Sequence, residues 1–419
     1  MKILVLGGSG TIGSAVAWDL AHDPEVTAIG LVGRRRDALA RVRDWIRSDA
    51  VTIHAAGIDD RDAVVELMAG YDAGALALPD RRRSYAAVEM AIEAGLPVVD
   101  MLEEYHRTPD AYEVEGLAVP EGMELDDYGE WLHERAVGRG VTFLDGMGFA
   151  PGLSNITLGD GIRRLDTAET AVARVGGIPS RASAQHHPLR YMITWAFEHV
   201  LREYTIPLKV IRDGRVVEVA AGSEREAFRF NAFGRDELLE CAVTPGMPSF
   251  ITSRPQLAEF SEKTVRWPGH WGGVETLKEC GLLGLDPVTV DGAAVVPRKL
   301  LLALIAPRLA PLPGDSDVCV MYNTLVGTKD GRRVRLEWRM WDEADTANGL
   351  SSMMRATGFP VAVAARMLAR GEVHGTGIVP PEDGIRGELY TEFLEQLARR
   401  GIVIEEEMVE LTSEAAPAV

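Results

Sequence analysis

The chain has 419 residues, which is long for one domain, so two are expected. Its 46% hydrophobic and 26% charged content is that of a globular protein, and its net charge of −19 argues against nucleic acid and anionic membrane surfaces as partners. Cys241, Cys280 and Cys319 are widely spaced, with no Cys-x-x-Cys and no Cys/His cluster, which excludes a disulfide framework and an ordinary zinc site. No apolar run has the length of a membrane span, and the apolar N-terminus reads as a strand rather than a leader. A cytoplasmic protein is expected.

Lys2 to Gly13 reads KILVLGGSGTIG: a short apolar strand, a glycine turn, then a helix from Ser14 to Ala21. Gly8-Ser9-Gly10-Thr11-Ile12-Gly13 is a G-x-G-x-x-G in the context that suits a dinucleotide. In this reading Gly8 makes the tight turn, Gly10 lets the backbone approach a pyrophosphate, and Gly13 lets helix and strand pack closely. The amides and positive end of the helix face the phosphates. Val26–Val32 is the second strand, and its tip reads Gly33-Arg34-Arg35-Arg36. An NAD site usually carries a carboxylate there for the ribose hydroxyls. Arg34 and Arg35 instead suit a 2′-phosphate, so NADP is expected, with NAD the alternative.

Ala73–Leu78 is a buried strand with Leu78 and Pro79 at the cofactor end, followed by a helix at Tyr85–Ala94. Leu96–Met101 follows, and its Asp100 falls at a carboxyl end, where ligands sit in parallel sheets. Glu103 and Tyr105 lie just beyond, toward the nicotinamide side. Glu113–Asp127 reads as a surface insertion, and Val141–Leu144 closes the strand series. Beyond Gly152 the runs Thr170–Val175, Leu208–Ile211, Val216–Val219 and Val334–Met340 read as a mainly antiparallel sheet, with a hairpin at Asp213-Gly214. From Ser351 the pattern is helical and apolar on more than one face, as for a helix buried against the first domain. The segment after Thr412 reads as a frayed tail.

Leu144–Asn155 (LDGMGFAPGLSN) resembles the strand–Pro-Gly–helix junction of the saccharopine dehydrogenase family. Further resemblances follow in that family's order: Val175-Gly176-Gly177-Ile178-Pro179, His187–Trp195 (HPLRYMITW), Glu203-Tyr204-Thr205, Thr264–His270 (TVRWPGH), and Ala356-Thr357-Gly358 with Gly377–Pro381. The resemblance implies an α/β fold with an N-terminal Rossmann domain (1–150). A substrate and dimerisation domain with a mixed or antiparallel sheet (151–350) follows, then a C-terminal segment returning to the first (351–419). It implies a homodimer and hydride transfer between NAD(P) and a carbon–nitrogen bond of an amino-acid-like substrate. The resemblance is to the saccharopine reductase and lysine 6-dehydrogenase branches, with the A-P-G-x-S-N and P-G-M-P-S stretches nearer the second. The alternatives are a carboxynorspermidine dehydrogenase-like enzyme and a non-catalytic NADP-binding sensor. The chain departs from saccharopine reductases at Ala150 and Val175, where they carry Asp and Cys. It departs again at Pro245–Pro248, near where they carry Asn-Arg.

Within this frame, Arg266 suits a substrate carboxylate and His270 suits proton transfer, or both hold a loop together. Tyr204 positions substrate or donates its proton, or is a core residue. Tyr191 and Trp195 wall the pocket and Arg190 reaches a carboxylate. Asp145 polarises a base or caps the next helix, and Ser154 and Asn155 touch the nicotinamide amide. His186-His187 lacks acidic or Cys partners at ligand spacing, so no metal is expected.

Overall fold

The computed structural model describes residues 1–78, 81–101 and 119–411. Pro79, Glu103, Tyr105, the first part of the expected insertion and the segment from Thr412 lie outside the described residues. The chain separates into two compact units, Met1–Asp160 with Met354–Ile402, and Gly161–Met353 with the residues from Val403. Each is built from two stretches of sequence.

In chain order the first stretch contains β1 (Lys2–Leu6), α1 (Thr11–Ala21), β2 (Ala28–Gly33), α2 (Arg36–Ile46), β3 (Val51–Ala55), α3 (Arg61–Met68), β4 (Ala73–Leu76), α4 (Arg81–Ala94), β5 (Val98–Asp100), α5 (Leu125–Arg139), β6 (Thr142–Leu144) and α6 (Leu153–Arg164). The second contains β7 (Thr167–Pro179), α7 (Arg181–Ala184), α8 (Phe197–Glu203), β8 (Pro207–Arg212), β9 (Arg215–Ala220), β10 (Glu226–Ala232), β11 (Arg235–Val243), α9 (Pro248–Ser253), β12 (Glu259–Arg266), α10 (His270–Glu279), β13 (Val288–Val290), β14 (Ala293–Val295), α11 (Pro297–Leu309), β15 (Asp317–Lys329) and β16 (Arg332–Glu343). The return comprises α12 (Ser352–Ala369), β17 (Gly377–Val379), α13 (Pro381–Gly384), α14 (Glu388–Arg399) and β18 (Glu405–Glu410).

The first unit holds a seven-stranded sheet ordered β17-β6-β5-β4-β1-β2-β3, parallel throughout. Chain order reverses between β1 and β4, and that switch point is where such sheets bind ligands. Leu4, Leu6, Leu76, Val98 and Phe143 are buried in one cluster with Tyr85 and Val88 of α4. The near-continuous apolar strands follow from a sheet covered on both faces.

The C-terminal segment divides. Residues 354–402 belong to the first unit, adding β17 to its sheet edge beside β6, whereas β18 pairs antiparallel with β16 in the second. Two devices seat the returning helices on α1. Gly358 in α12 faces α1 so closely that a Cβ there would lie 2.9 Å from the Ala15 methyl and 3.2 Å from the Val16 amide nitrogen. Asp19 and Asp23, at the end of α1, bind arginines of the return: Arg400 Nε lies 2.6 Å from Asp19 Oδ1, and Arg366 pairs with Asp23. Burial raises the Asp19 pKa, against the pull of Arg400.

The second unit is a mixed sheet, β10-β11-β12-β7-β15-β16-β18, with β8 beside β12 and β9 beside β8. Only the β12–β7 pairing is parallel among the described strands. The expected hairpin lies between β8 and β9, with Asp213 and Gly214 at φ 50° and 69°, as a two-residue turn with both central φ positive requires. Gly176 is fixed by packing, since its Cβ would lie 2.3 Å from the Val265 carbonyl oxygen of β12. No described helix is long and apolar enough to cross a membrane.

Helix propensity alone favours replacing the mid-helical Gly358, but the α1 contact leaves no room. Gly358→Val is therefore expected to lower the unfolding free energy by about 2 kcal/mol, read as a fall in the urea midpoint. An unchanged or higher midpoint would contradict the close packing of α12 on α1.

Candidate functional site

In the first unit, the strand–turn–helix junction is assembled by glycines. Gly7 carries the tight turn at φ 81°, and a Cβ on it would lie 2.1 Å from the Ala77 carbonyl oxygen. This corrects the assignment of the turn to Gly8, whose Cβ would instead meet the Leu31 side chain at 2.9 Å. Gly13 packs against the turn, its Cβ position 2.4 Å from the Gly7 carbonyl oxygen. Gly10 caps α1 without a side-chain hydrogen bond, and the first turn carries no acid. Gly10 and Thr11 are exposed, with Ser9 and Ile12 half-buried. The first amides of α1 are thus presented to an anion.

Arg34 and Arg35 stand exposed at the end of β2, and the adjacent Gly33 is close to this loop, its Cβ position 3.3 Å from Ser9 Oγ. Neither arginine forms an ion pair among the described residues, while Asp37 of α2 is held by Arg41 at 2.9 Å. A narrow amide-lined cradle beside free guanidinium groups fits a dinucleotide with a 2′-phosphate. Leu78 is half-buried just beyond β4.

Three other residues expected at the cofactor or the chemistry are engaged inside the unit. Asp100 is buried, and its Oδ1 accepts from the Gly146 amide at 2.7 Å, so it fixes the turn after β6. Asp145 is buried in that turn, its own amide donating to the Val379 carbonyl. It cannot cap α6, which begins only at Leu153. Asn155 accepts from the Gly152 amide at 3.0 Å and donates to Glu382 Oε2 at 3.2 Å. Fully buried, it ties the start of α6 to α13 rather than reaching out to a nicotinamide, and Ser154 is buried beside it.

In the second unit, Tyr191, Tyr204, Arg266 and His270 converge. Arg266 ends β12. Trp267-Pro268-Gly269 then turns the chain, Gly269 at φ 98° allowing α10 to begin with His270 facing inward. Tyr204 follows α8, and Tyr191 follows a short 3-10 turn at Pro188–Arg190. All four side chains are 4% exposed or less. Arg266 Nε donates to the Tyr204 hydroxyl at 3.0 Å, and the guanidinium lies over the Tyr191 ring at 5.1 Å. His270 Nε2 is 3.1 Å from the same hydroxyl, and Nδ1 is 3.0 Å from the Leu189 carbonyl.

Donor counting fixes the proton order. A carbonyl only accepts, so Nδ1 carries the hydrogen and Nε2 accepts from Tyr204. Burial, and then the Arg266 charge, push the His270 pKa down to about 3, in keeping with a neutral ring. Burial raises both phenols, against the pull of Arg266. Burial also opposes the Arg266 charge, but the tyrosine oxygens and Glu203 more than offset this. Arg266 Nη1 is spent on the Val265 and Gly177 carbonyls. Nη2 makes no hydrogen bond and no carboxylate reaches ion-pair distance, both among the described residues. A charged, oriented donor is left for a ligand anion.

Arg190 and Trp195 do not join the cluster. Positive φ at Leu189 and Arg190 turns successive side chains apart, and Arg190 is exposed. Trp195 is half-buried and stacks on His199 at 6.3 Å. His187 is a structural staple, its ring between the Arg308 carbonyl at 3.0 Å and Asp315 at 2.8 Å. Glu262, buried on the same strand as Arg266, went unnoticed in the sequence, because a strand reading EFSEKTVR has charged residues on both faces.

A parallel sheet with a glycine cradle at its switch point, joined in sequence to a mixed-sheet unit holding a buried arginine–tyrosine–histidine relay, is the architecture of a two-domain dinucleotide-dependent protein. Residues 3–124 match the model of the saccharopine dehydrogenase NADP binding domain, and residues 148–402 that of the saccharopine dehydrogenase C-terminal domain. The chain belongs to the saccharopine dehydrogenase family. It is 22% identical over 338 residues to the mitochondrial alpha-aminoadipic semialdehyde synthase of Bos taurus, covering 63% of this chain and 35% of that protein. It is 29% identical over 99 residues to the alpha-aminoadipic semialdehyde synthase of Arabidopsis thaliana, covering 23% and 9%. The chain thus spans about a third or less of the length of these relatives. The apo saccharopine dehydrogenase (L-Glu forming) of Saccharomyces cerevisiae has the same fold, with a TM-score of 0.76 at 18% identity over 97% of this chain and 99% of that one.

The native pKa of His270 lies below its unfolded value, so the unfolded chain binds more protons between the two and this group's stabilisation is lost on acidification. In His270→Gln that contribution is missing. The stability gap between wild type and variant should narrow by about 2 kcal/mol between pH 7 and roughly pH 4.5, measured by urea denaturation. A constant gap would mean that His270 takes up its proton in the fold as readily as in the unfolded chain.

Proposed function

We propose that the protein is an NADP-preferring dehydrogenase acting at a carbon–nitrogen bond of an amino-acid-like amine or imine. The observation that carries this reading is the Arg266 guanidinium, 4% exposed and held charged with no carboxylate partner among the described residues. Its free nitrogen suits a substrate carboxylate, which a planar guanidinium recognises with directional hydrogen bonds. Tyr204 and His270 fix its orientation. The glycine cradle and Arg34 and Arg35 hold the cofactor, whose nicotinamide supplies the hydride acceptor. Tyr191 forms an aromatic wall under the guanidinium. Trp195 and Arg190 have supporting roles at most, and Asp145, Asp100 and Asn155 act by holding the backbone around β6 and α6.

The relatives named above are called saccharopine dehydrogenase and alpha-aminoadipic semialdehyde synthase, which supports a lysine- or saccharopine-like substrate. We also propose a cytoplasmic homodimer. Exposed Leu285, Val288, Val290, Leu300 and Leu304, on and around the β13–β14 hairpin and α11, are consistent with a self-association surface.

The test is the ultraviolet absorbance of reduced nicotinamide at alkaline pH, with NADP⁺ and NAD⁺ against lysine, saccharopine, ornithine and carboxylated polyamines. Faster reduction of NADP⁺ by one of these amines is expected. Tight NADPH binding with no turnover of any amine or imine would sink the dehydrogenase reading. Replacing Arg34 and Arg35 together by Ser should weaken NADPH binding about tenfold or more, as for lost charge-assisted phosphate contacts, and leave NADH nearly unaffected. Equal losses for both nucleotides would assign these arginines no role in phosphate recognition.

A further inference from the structure

β12 presents three polar side chains on one face, because alternate residues of a strand share a side: Glu262, Thr264 and Arg266. Glu262 is 4% exposed, with no cation at ion-pair distance among the described residues. Its Oε2 accepts from the Thr244 hydroxyl at 2.7 Å, and Thr244 and Thr264 hydroxyls are 2.6 Å apart. Since the Thr244 proton goes to Glu262, Thr264 donates to Thr244, and the hydroxyl pair points its protons at the carboxyl group. Gly246 makes room for that group: a Cβ there would lie 2.5 Å from Glu262 Cδ.

A buried carboxyl group with a built hydrogen-bond shelf and no cation at ion-pair distance is costly in its charged form, a cost that a ligand cation would offset. We propose that Glu262 binds the amino group of the substrate whose carboxylate Arg266 holds, and takes the proton that this amine sheds before oxidation. In that step the ammonium N–H bond breaks and a Glu262 O–H bond forms, giving a neutral amine and a neutral carboxylic acid. The inference rests on the dehydrogenase reading and adds the substrate's shape. Cα atoms four residues apart on a strand are about 13 Å apart. An amine several carbons from the carboxylate bridges the two heads, and an α-amino group adjacent to it does not.

Two charged groups act on Glu262: Glu203 of α8, which raises its pKa, and Arg266 of its own strand, which lowers it. Lys263 points to the opposite face, toward Glu226. Burial dominates and pushes the Glu262 pKa up to about 8. The group is then a carboxylate above that pH while a primary amine is still charged up to about pH 10.4.

Calorimetric titration of the NADPH complex with 6-aminohexanoate, norleucine and hexanoate tests this. These ligands share the carboxylate and chain length, and carry a terminal amine, an α-amine or none. At about pH 9 the wild type should bind 6-aminohexanoate at least tenfold more tightly than hexanoate, with norleucine near hexanoate, and the preference should shrink toward about pH 6. Glu262→Gln should bring 6-aminohexanoate down to the hexanoate level at every pH while hexanoate binding persists. If hexanoate binding is lost in that variant, Thr244→Val substitutes. Without its hydroxyl donor the carboxylate is less stable, and the pH at which the amine preference sets in should rise by about half a unit or more. Four results would overturn the assignment: no amine preference in the wild type, a preference for norleucine, a preference that survives Glu262→Gln, or an onset that Thr244→Val leaves in place. Failure to bind NADPH at all would count instead against the dehydrogenase reading.

Discussion

The second unit is organised around a buried positive charge. Taking a guanidinium out of water costs several kcal/mol unless hydrogen bonds and a counter-charge restore what hydration supplied. Arg266 donates hydrogen bonds to two backbone carbonyls and the Tyr204 oxygen and lies over two aromatic faces, with no carboxylate at ion-pair distance among the described residues. The tyrosine oxygens and Glu203 keep it charged against the cost of burial. Neutral His270 accepts the Tyr204 hydroxyl's hydrogen bond at Nε2, so the phenol oxygen turns its lone pairs to the guanidinium. Tertiary structure holds that arrangement in place, and on the proposed function the charge is kept for a substrate carboxylate.

The first unit spends its constraints on backbone approach. Gly7, Gly13 and Gly358 each occupy positions where a methyl group would collide with backbone or an adjacent helix. The first two shape the anion cradle. The third lets α12 lie on α1, where Arg366 and Arg400 then meet Asp19 and Asp23. The helix that starts at this glycine turn is thereby clamped at its far end by the returning segment.

Much of this was readable in the residues, for physical reasons. Strands buried on both faces are apolar runs, so β1, β2, β4, β5 and β6 stand out. β3, half-buried and reading VTIHA, and β17, three residues joined from far along the chain, carry no such signal. The Arg266–His270 pair was visible because Pro268-Gly269 marks the turn between them, and Tyr204 because it is the centre of the Glu203-Tyr204-Thr205 motif. Arg190 and Trp195 lie outside the cluster because proximity to Tyr191 in sequence says nothing about direction after two residues of positive φ. Asp100, Asp145 and Asn155 lie near strand ends or helix starts, as a ligand residue would. Their hydrogen bonds to Gly146, Val379 and Glu382, which depend on tertiary contacts, show their structural roles. Glu262 was hidden for the same reason: its burial comes from the Thr244–Gly246 segment and from no local pattern.

The central claim is that Arg266 is kept charged and uncompensated in order to hold a carboxylate. Its most direct test compares Arg266→Gln with the wild type on the amino acid that the wild type oxidises fastest, and on the corresponding amine lacking the carboxylate. The account predicts that kcat/KM for the amino acid falls at least a hundredfold, about 2.7 kcal/mol, as for a lost charged hydrogen-bonded contact, while the carboxylate-free amine is little changed and NADPH affinity is retained. An unchanged kcat/KM for the amino acid, or equal losses on both compounds, would contradict it.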